Sequence, residues 1–132
     1  MADELKANVL LVDDEARFVE ILAERLRVRG FTVDTATSGE AALKLAQEKD
    51  FDAVLLDLSM PGMGGIEVLR EMKKAKPALQ IIILTGQGSI QATVEVMKEG
   101  AVDFMEKPVD INRLIEKIRE ATRRSCHNAG DK

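Results

Sequence analysis

The sequence predicts an α/β domain, a parallel sheet with helices on both faces, and three observations carry that prediction. Short apolar runs without polar alternation recur along the chain, the pattern of strands buried on both faces. Segments whose apolar residues repeat at helical spacing separate them, which gives βαβ units. Each apolar run then stops at polar or charged residues, as chemistry placed outside the carboxyl ends of strands requires. With 132 residues the chain is most simply one domain around a single core.

Residues 8–12 are the first strand candidate, ending in Asp13, Asp14 and Glu15. Residues 17–29 turn helical, with Phe18, Ile21, Leu22 and Leu26 on one stripe and Gly30 as the C-terminal stop. Residues 31–36 read as a second strand through β-branched Thr32, Val33 and Thr35. Ser38 offers an N-cap to a second helix whose stripe is Ala41, Ala42, Leu45 and Ala46. The third strand, 53–56, delivers Asp57 and stops before the punctuation of Pro61 and Gly62. A helix over 66–74 buries Ile66, Leu69 and Met72 and ends at Lys76-Pro77. Residues 79–84 form the most apolar strand, ending at Thr85. After Gly86-Gln87-Gly88-Ser89 comes a helix with Ile90, Val94 and Met97 on one side and Gly100 as its stop. Residues 101–105 make a short fifth strand, and Asp110 caps a last helix with Ile111, Leu114, Ile115 and Ile118, running to about Arg124. Residues 1–7 are expected to be an N-terminal extension, 8–124 the domain, and 125–132 a flexible C-terminal tail.

Composition excludes several function classes. The chain is 45% hydrophobic and 32% charged, with a net charge of −4, so no basic footprint suggests nucleic acid as a partner. No apolar run approaches the ~20 residues of a membrane span, and the acidic N-terminus is unlike a secretory leader. The single cysteine, Cys126, forms no internal disulfide and fits a cytoplasmic location. Trp and Tyr are absent, which leaves little from which to build a base-stacking platform.

Right-handed crossovers put every strand's C-terminal end on one edge, so Asp13-Asp14, Asp57, Thr85 and Lys107 converge on one crevice. Singly, each has a plain explanation: a solvated acidic turn, a loop cap, a β-branched strand residue, Lys-Pro turn chemistry. Jointly, three carboxylates repel one another unless a cation sits among them. Oxygen donors without His or Cys favour Mg²⁺ over zinc or copper. Lys107 adds a second positive point and Thr85 a hydroxyl donor, which together would hold a phosphoryl group while Asp57 attacks it in line.

These residues resemble the receiver domain of bacterial two-component response regulators. The matching stretches are Leu10-Leu11-Val12-Asp13-Asp14-Glu15, Val54-Leu55-Leu56-Asp57-Leu58-Ser59-Met60-Pro61-Gly62-Met63-Gly64-Gly65, Ile83-Leu84-Thr85-Gly86 and Gly100-Ala101-Val102-Asp103-Phe104-Met105-Glu106-Lys107-Pro108. The resemblance spans 8–124 and implies a flavodoxin-like, doubly wound five-stranded sheet of order 2-1-3-4-5 with five helices. It implies Asp57 as phosphoacceptor from a sensor histidine kinase or phosphotransfer protein. It further implies Asp14, Asp57 and the Ser59 backbone carbonyl as Mg²⁺ ligands, with Asp13 acting mainly through water. Thr85 and Lys107 would bind the phosphoryl group, Lys107-Pro108 would be cis, and Phe104 would be a switch aromatic. Plain core packing is the competing reading of Phe104.

Within this resemblance Ser59 and Gln87 tune phosphoryl lifetime, and an intermediate lifetime is expected of this pair. The output surface is expected on the fourth helix, fifth strand and fifth helix, with Glu95, Lys98, Glu99, Asp103, Arg113, Lys117 and Arg119. A downstream protein partner or a phosphorylation-dependent dimer would use it. The chain is then not a turnover enzyme, although it assists its own phosphorylation and dephosphorylation. A phosphorelay intermediate and an excised receiver of a longer transcriptional regulator are alternatives. An aspartyl-nucleophile phosphatase would need a general acid at Ser59, and a flavin module would be repelled by Asp13-Asp14-Glu15. A phosphate-independent interaction domain is disfavoured because no chemical residue is missing. His127 on the tail is read as inert.

Overall fold

A computed structural model describes residues 7–58, 64–86 and 90–130 of the chain. Five strands alternate with five helices: β1 (Asn8–Val12), α1 (Ala16–Val28), β2 (Thr32–Ala36), α2 (Gly39–Glu48), β3 (Ala53–Asp57), α3 (Gly65–Ala75), β4 (Ile81–Thr85), α4 (Ile90–Lys98), β5 (Asp103–Glu106) and α5 (Ile111–Gly130). The sheet is parallel throughout, in the order β2-β1-β3-β4-β5. This is the flavodoxin-like doubly wound arrangement, and both faces of the central strands are consumed in building it.

Alternation along the strands divides the core in two. Val9, Leu11, Leu55, Ile82 and Leu84 face α1 and α5, where they meet Leu22, Leu26, Leu114 and Ile118. Leu10, Val12, Val54, Leu56, Ile81 and Ile83 face the other way, onto Ala42, Val68, Leu69, Met72 and Val96. At about 25 cal/mol per Å² of apolar surface, burial on both faces makes β3 and β4 the most strongly fixed elements. β3 carries Asp57.

Local signals explain the helix ends. Ser38 Oγ accepts from the Ala41 N–H at 3.1 Å and caps α2. We expect Ser38→Ala to cost about 1 kcal/mol in a urea titration, and no loss would mean that α2 is held by packing alone. Gly30 and Gly100 take φ of +97° and +114°, so the two expected helix stops are left-handed turns that favour glycine.

Several boundaries and faces differ from expectation. Ala7, assigned above to an extension, is fully buried, and its carbonyl accepts from the Thr32 N–H at 3.0 Å. α5 runs to Gly130 rather than ending near Arg124, because no proline or glycine interrupts residues 125–129 once the apolar stripe has ended. In α1 the buried set is Val19, Leu22, Ala23 and Leu26, while Ile21 is 50% exposed. Among the described side chains of α4, Val96 is in the core, and Val94 and Met97 lie on the solvent side. Both helices carry more apolar residues than their buried face needs, so spacing alone offered two stripes.

Candidate functional site

Asp13 directly follows β1, Asp57 ends β3, Thr85 ends β4 and Lys107 directly follows β5. Ladder hydrogen bonding continues past these strand ends. Asp13 N–H donates to the Ala36 carbonyl at 3.1 Å, Leu58 N–H to Leu84 at 3.1 Å, and Lys107 N–H to Thr85 at 2.8 Å. The site therefore stands on sheet backbone. The Lys107-Pro108 peptide is cis, in line with the resemblance.

Carboxylate oxygens of Asp13, Asp14 and Asp57 lie within 4.8 Å of one another. Asp13 is fully buried and Asp57 only 2% exposed, while Asp14 faces solvent at the mouth. Buried negative charges are costly without a compensating cation. Lys107 is that cation among the described residues: its Nζ stands 2.6 Å from Asp13 Oδ2, 3.4 Å from Glu15 Oε1 and 3.7 Å from Asp57 Oδ1. Burial pulls the Lys107 ammonium toward its neutral form. The hydrogen bond to Asp13 and the charge of Asp57 outweigh that pull and hold its pKa above the ordinary 10.5. Thr85 lies buried at the neighbouring strand end.

Two members of this cluster were not recognised in the sequence. Glu15 donates its backbone N–H to Asp13 Oδ1 at 3.0 Å, fixing that carboxylate, and offers its own carboxylate to Lys107. Phe18, on the first turn of α1, places its ring centroid 4.5 Å from Lys107 Nζ. Glu15 was legible only as the end of the acidic run after β1, and Phe18 only as a residue of the α1 stripe.

The three carboxylates suit a hard divalent cation. The donor set is all oxygen, the chemistry that Mg²⁺ takes, and its members lie close enough together to share one ion. Such an ion would also offset the negative charge that one lysine cannot neutralise. Of the remaining expected site residues, Ser59 and Gln87 lie outside the described residues.

Phe104 is 38% exposed, and Met105 is the buried residue of β5, so plain core packing does not describe Phe104. Around it several charged residues of the expected output surface are engaged in ion pairs. Lys117 pairs with Asp103 at 2.6 Å, whereas Glu99 and Glu95 are engaged sideways by Arg70 of α3, at 3.1 and 3.8 Å. A second apolar groove opens beside the crevice, lined by Phe18, Ile21 and Leu22 of α1 with Pro108 and Val109, and Lys107 forms part of both. Among the described residues, no helix is long and apolar enough to cross a membrane.

Comparison with known proteins agrees with this geometry. Residues 9–119 match the family model of the response regulator receiver domain. The chain is 42% identical to the transcriptional regulatory protein ZraR of Salmonella typhimurium over 116 residues, which is 88% of this chain and 26% of that protein. It thus spans about a quarter of the length of such relatives. It is 35% identical over 120 residues to YkoG of Bacillus subtilis, a transcriptional regulatory protein, covering 91% of this chain and 53% of that one. A response regulator receiver domain from Clostridium thermocellum superposes with a TM-score of 0.85 at 36% identity, covering 89% of this chain and 95% of that one.

Proposed function

The chain belongs to the response regulator receiver family of two-component systems, and on that premise we propose that Asp57 is its phosphoacceptor. The observation that carries this reading is the convergence of three carboxylates and one ammonium on one edge of the sheet. A carboxylate oxygen of Asp57 attacks phosphorus, the bond to the donor's histidine nitrogen breaks, and an aspartyl phosphate remains. Lys107 donates to the arriving phosphoryl oxygens and Thr85 supplies a hydroxyl from the adjacent strand. Asp14, Asp57 and the Ser59 carbonyl would hold Mg²⁺, with Asp13 acting mainly through water. When bound, the ion lowers the charge on the crevice and on the transferred group. In this reading Ser59 and Gln87 tune the phosphoryl lifetime. The chain assists its own phosphorylation and dephosphorylation and turns over no external substrate.

The test is intact mass after incubation with Mg²⁺ and acetyl phosphate. One phosphoryl group should be added to the wild-type chain and none to Asp57→Asn or to an EDTA-treated sample. An adduct that persists in Asp57→Asn would move the acceptor elsewhere and end the proposal.

The donor is a sensor histidine kinase or phosphotransfer protein in the cytoplasm, and the groove beside Lys107 is where it docks. Continuity supports this: the groove shares Lys107 with the crevice, so an apolar surface seated there brings a phosphohistidine to Asp57. Half-exposed Ile21 serves no core role and is the natural contact. Ile21→Asp should lower transfer from a phosphodonor protein about tenfold and leave uptake from acetyl phosphate unchanged. Equal losses with both donors would count against docking at this groove. Output runs through the α4-β5-α5 surface to a protein partner or a second copy, with Phe104 as the element that responds. ZraR and YkoG are transcriptional regulators that exceed this chain in length, which favours a receiver serving a longer regulator over a phosphorelay intermediate.

A further inference from the structure

The geometry points to Phe18 as a positioning residue for Lys107, one that holds the ammonium at the crevice without adding negative charge to it. Taken with the phosphoacceptor reading, on which it rests, this assigns α1 a part in receiving the phosphoryl group.

Among the described residues, two aspartates, a glutamate and an aromatic ring stand around Lys107 Nζ. Asp13 is nearest at 2.6 Å, Glu15 follows at 3.4 Å, Asp57 at 3.7 Å, and the Phe18 ring centroid stands at 4.5 Å. In this arrangement the ammonium sits on the Asp13 side of the crevice. A phosphoryl group on Asp57 brings anionic oxygens that must share it. Every carboxylate seat opposes that sharing twice, by retaining the ammonium and by repelling the phosphoryl oxygens. A ring face attracts the ammonium through its quadrupole and carries no net charge. Among these neighbours of Lys107, Phe18 therefore supports the cation at no electrostatic cost to the incoming anion.

Packing gives the ring a second function. Lys107 lies between the crevice and the apolar groove of Phe18, Leu22 and Pro108, and its side chain is 17% exposed. Phe18 is partly buried against the α1 and α5 side of the core, so its ring is a fixed wall. Without the ring the flexible lysine stem gains room to settle into the groove, and its ammonium leaves Asp57.

The test uses the full chain labelled at lysine Cε, with beryllofluoride as an inert mimic of the phosphoryl group. In the wild type without ligand, one lysine ε-methylene signal should be displaced by the ring current, and Lys107→Arg should remove it. At saturating Mg²⁺, Phe18→Leu should abolish that displacement and weaken beryllofluoride binding about two- to fivefold. Phe18→Tyr, which restores an aromatic face, should return both the shifted signal and the affinity. Leucine and tyrosine variants with the same beryllofluoride affinity would overturn the proposal, since any effect would then be packing. A displaced lysine signal in a wild-type chain that binds Mg²⁺ but not beryllofluoride would overturn the phosphoacceptor reading while leaving the ring contact itself in place. Absence of that signal would overturn the contact, and the proposal with it, independently of phosphoryl chemistry.

Discussion

Replacing Lys107 with methionine should destabilise the metal-free protein by about 2 kcal/mol, and excess Mg²⁺ should return most of that loss. Methionine keeps the apolar stem but removes the ammonium that stands 2.6 Å from buried Asp13 and 3.7 Å from buried Asp57. Breaking a fully buried ion pair by removing one partner costs about 3–5 kcal/mol. Two features place this site lower. Asp13 keeps the Glu15 N–H at 3.0 Å, and the exposed Asp14 leaves the crevice mouth open to water. Urea titrations in EDTA and in millimolar Mg²⁺ measure both halves of the prediction, because a ligand that binds only the folded chain stabilises it by mass action. An equal loss under both conditions would mean that Lys107 acts through packing rather than charge. Lys107→Arg should keep the stability but not the placement of the point charge. Stability and beryllofluoride binding therefore part company in that variant.

The same lysine sets a pH dependence in the metal-free state. Its folded pKa lies above the unfolded 10.5, so its stabilising contribution is fully present below pH 10.5 and is lost as pH rises through the higher folded value. The stability difference between wild type and Lys107→Met should accordingly be constant around neutrality and shrink in the alkaline range. A difference that shrinks on acidification instead would assign the effect to the carboxylates.

What could be read without coordinates was the strand-end chemistry. Asp57, Thr85 and Lys107 each terminate or follow an apolar run, and parallel topology then leaves no choice about which edge they share. The partners that arrive from helices were less legible. Lys107 and Asp13 are 94 positions apart in the chain, and Phe18 reaches Lys107 only because α1 leaves β1 at one angle. No periodicity encodes that angle. Ile21 and Val19 illustrate a second limit: both are apolar and both fit a helical stripe, but only Val19 is in the core. The apolar arc of α1 is broader than its buried face, because the surplus lines the groove beside the crevice. Surplus apolar surface next to chemistry is a functional signal that reads in sequence as an ambiguous helix face.

The pair Gly64-Gly65 extends this argument to the backbone, and it yields the second large effect. In sequence the two glycines are indistinguishable loop punctuation. In the structure Gly64 precedes α3 with φ of −71°, its N–H donates to Glu67 Oε1 at 3.3 Å, and an added Cβ would meet nothing within 4 Å. Gly65 is the first residue of α3 and is buried, and its Cβ would fall 2.6 Å from Leu58 Cα and 2.8 Å from the Asp57 carbonyl oxygen. Neither obstacle is a side chain that can turn away. Leu58 is itself fixed by the N–H bond to Leu84 at 3.1 Å, so α3 must back off or the strand end must bend. We expect Gly65→Ala to cost about 3 kcal/mol, the upper end for overpacking, and Gly64→Ala about 0.5 kcal/mol. The fraction of Gly65→Ala that remains folded should also take up phosphoryl from acetyl phosphate roughly tenfold more slowly, since an Asp57 misplaced by tenths of an ångström loses its in-line approach. Urea midpoints and intact-mass time courses on the two variants separate these effects. Equal stability of the two would show that α3 slides freely and that its first turn does not position Asp57. The comparison matters because α3 then serves the site without contributing a single side chain to it. A helix start pressed against the Asp57 backbone fixes where the proposed acceptor carboxylate points.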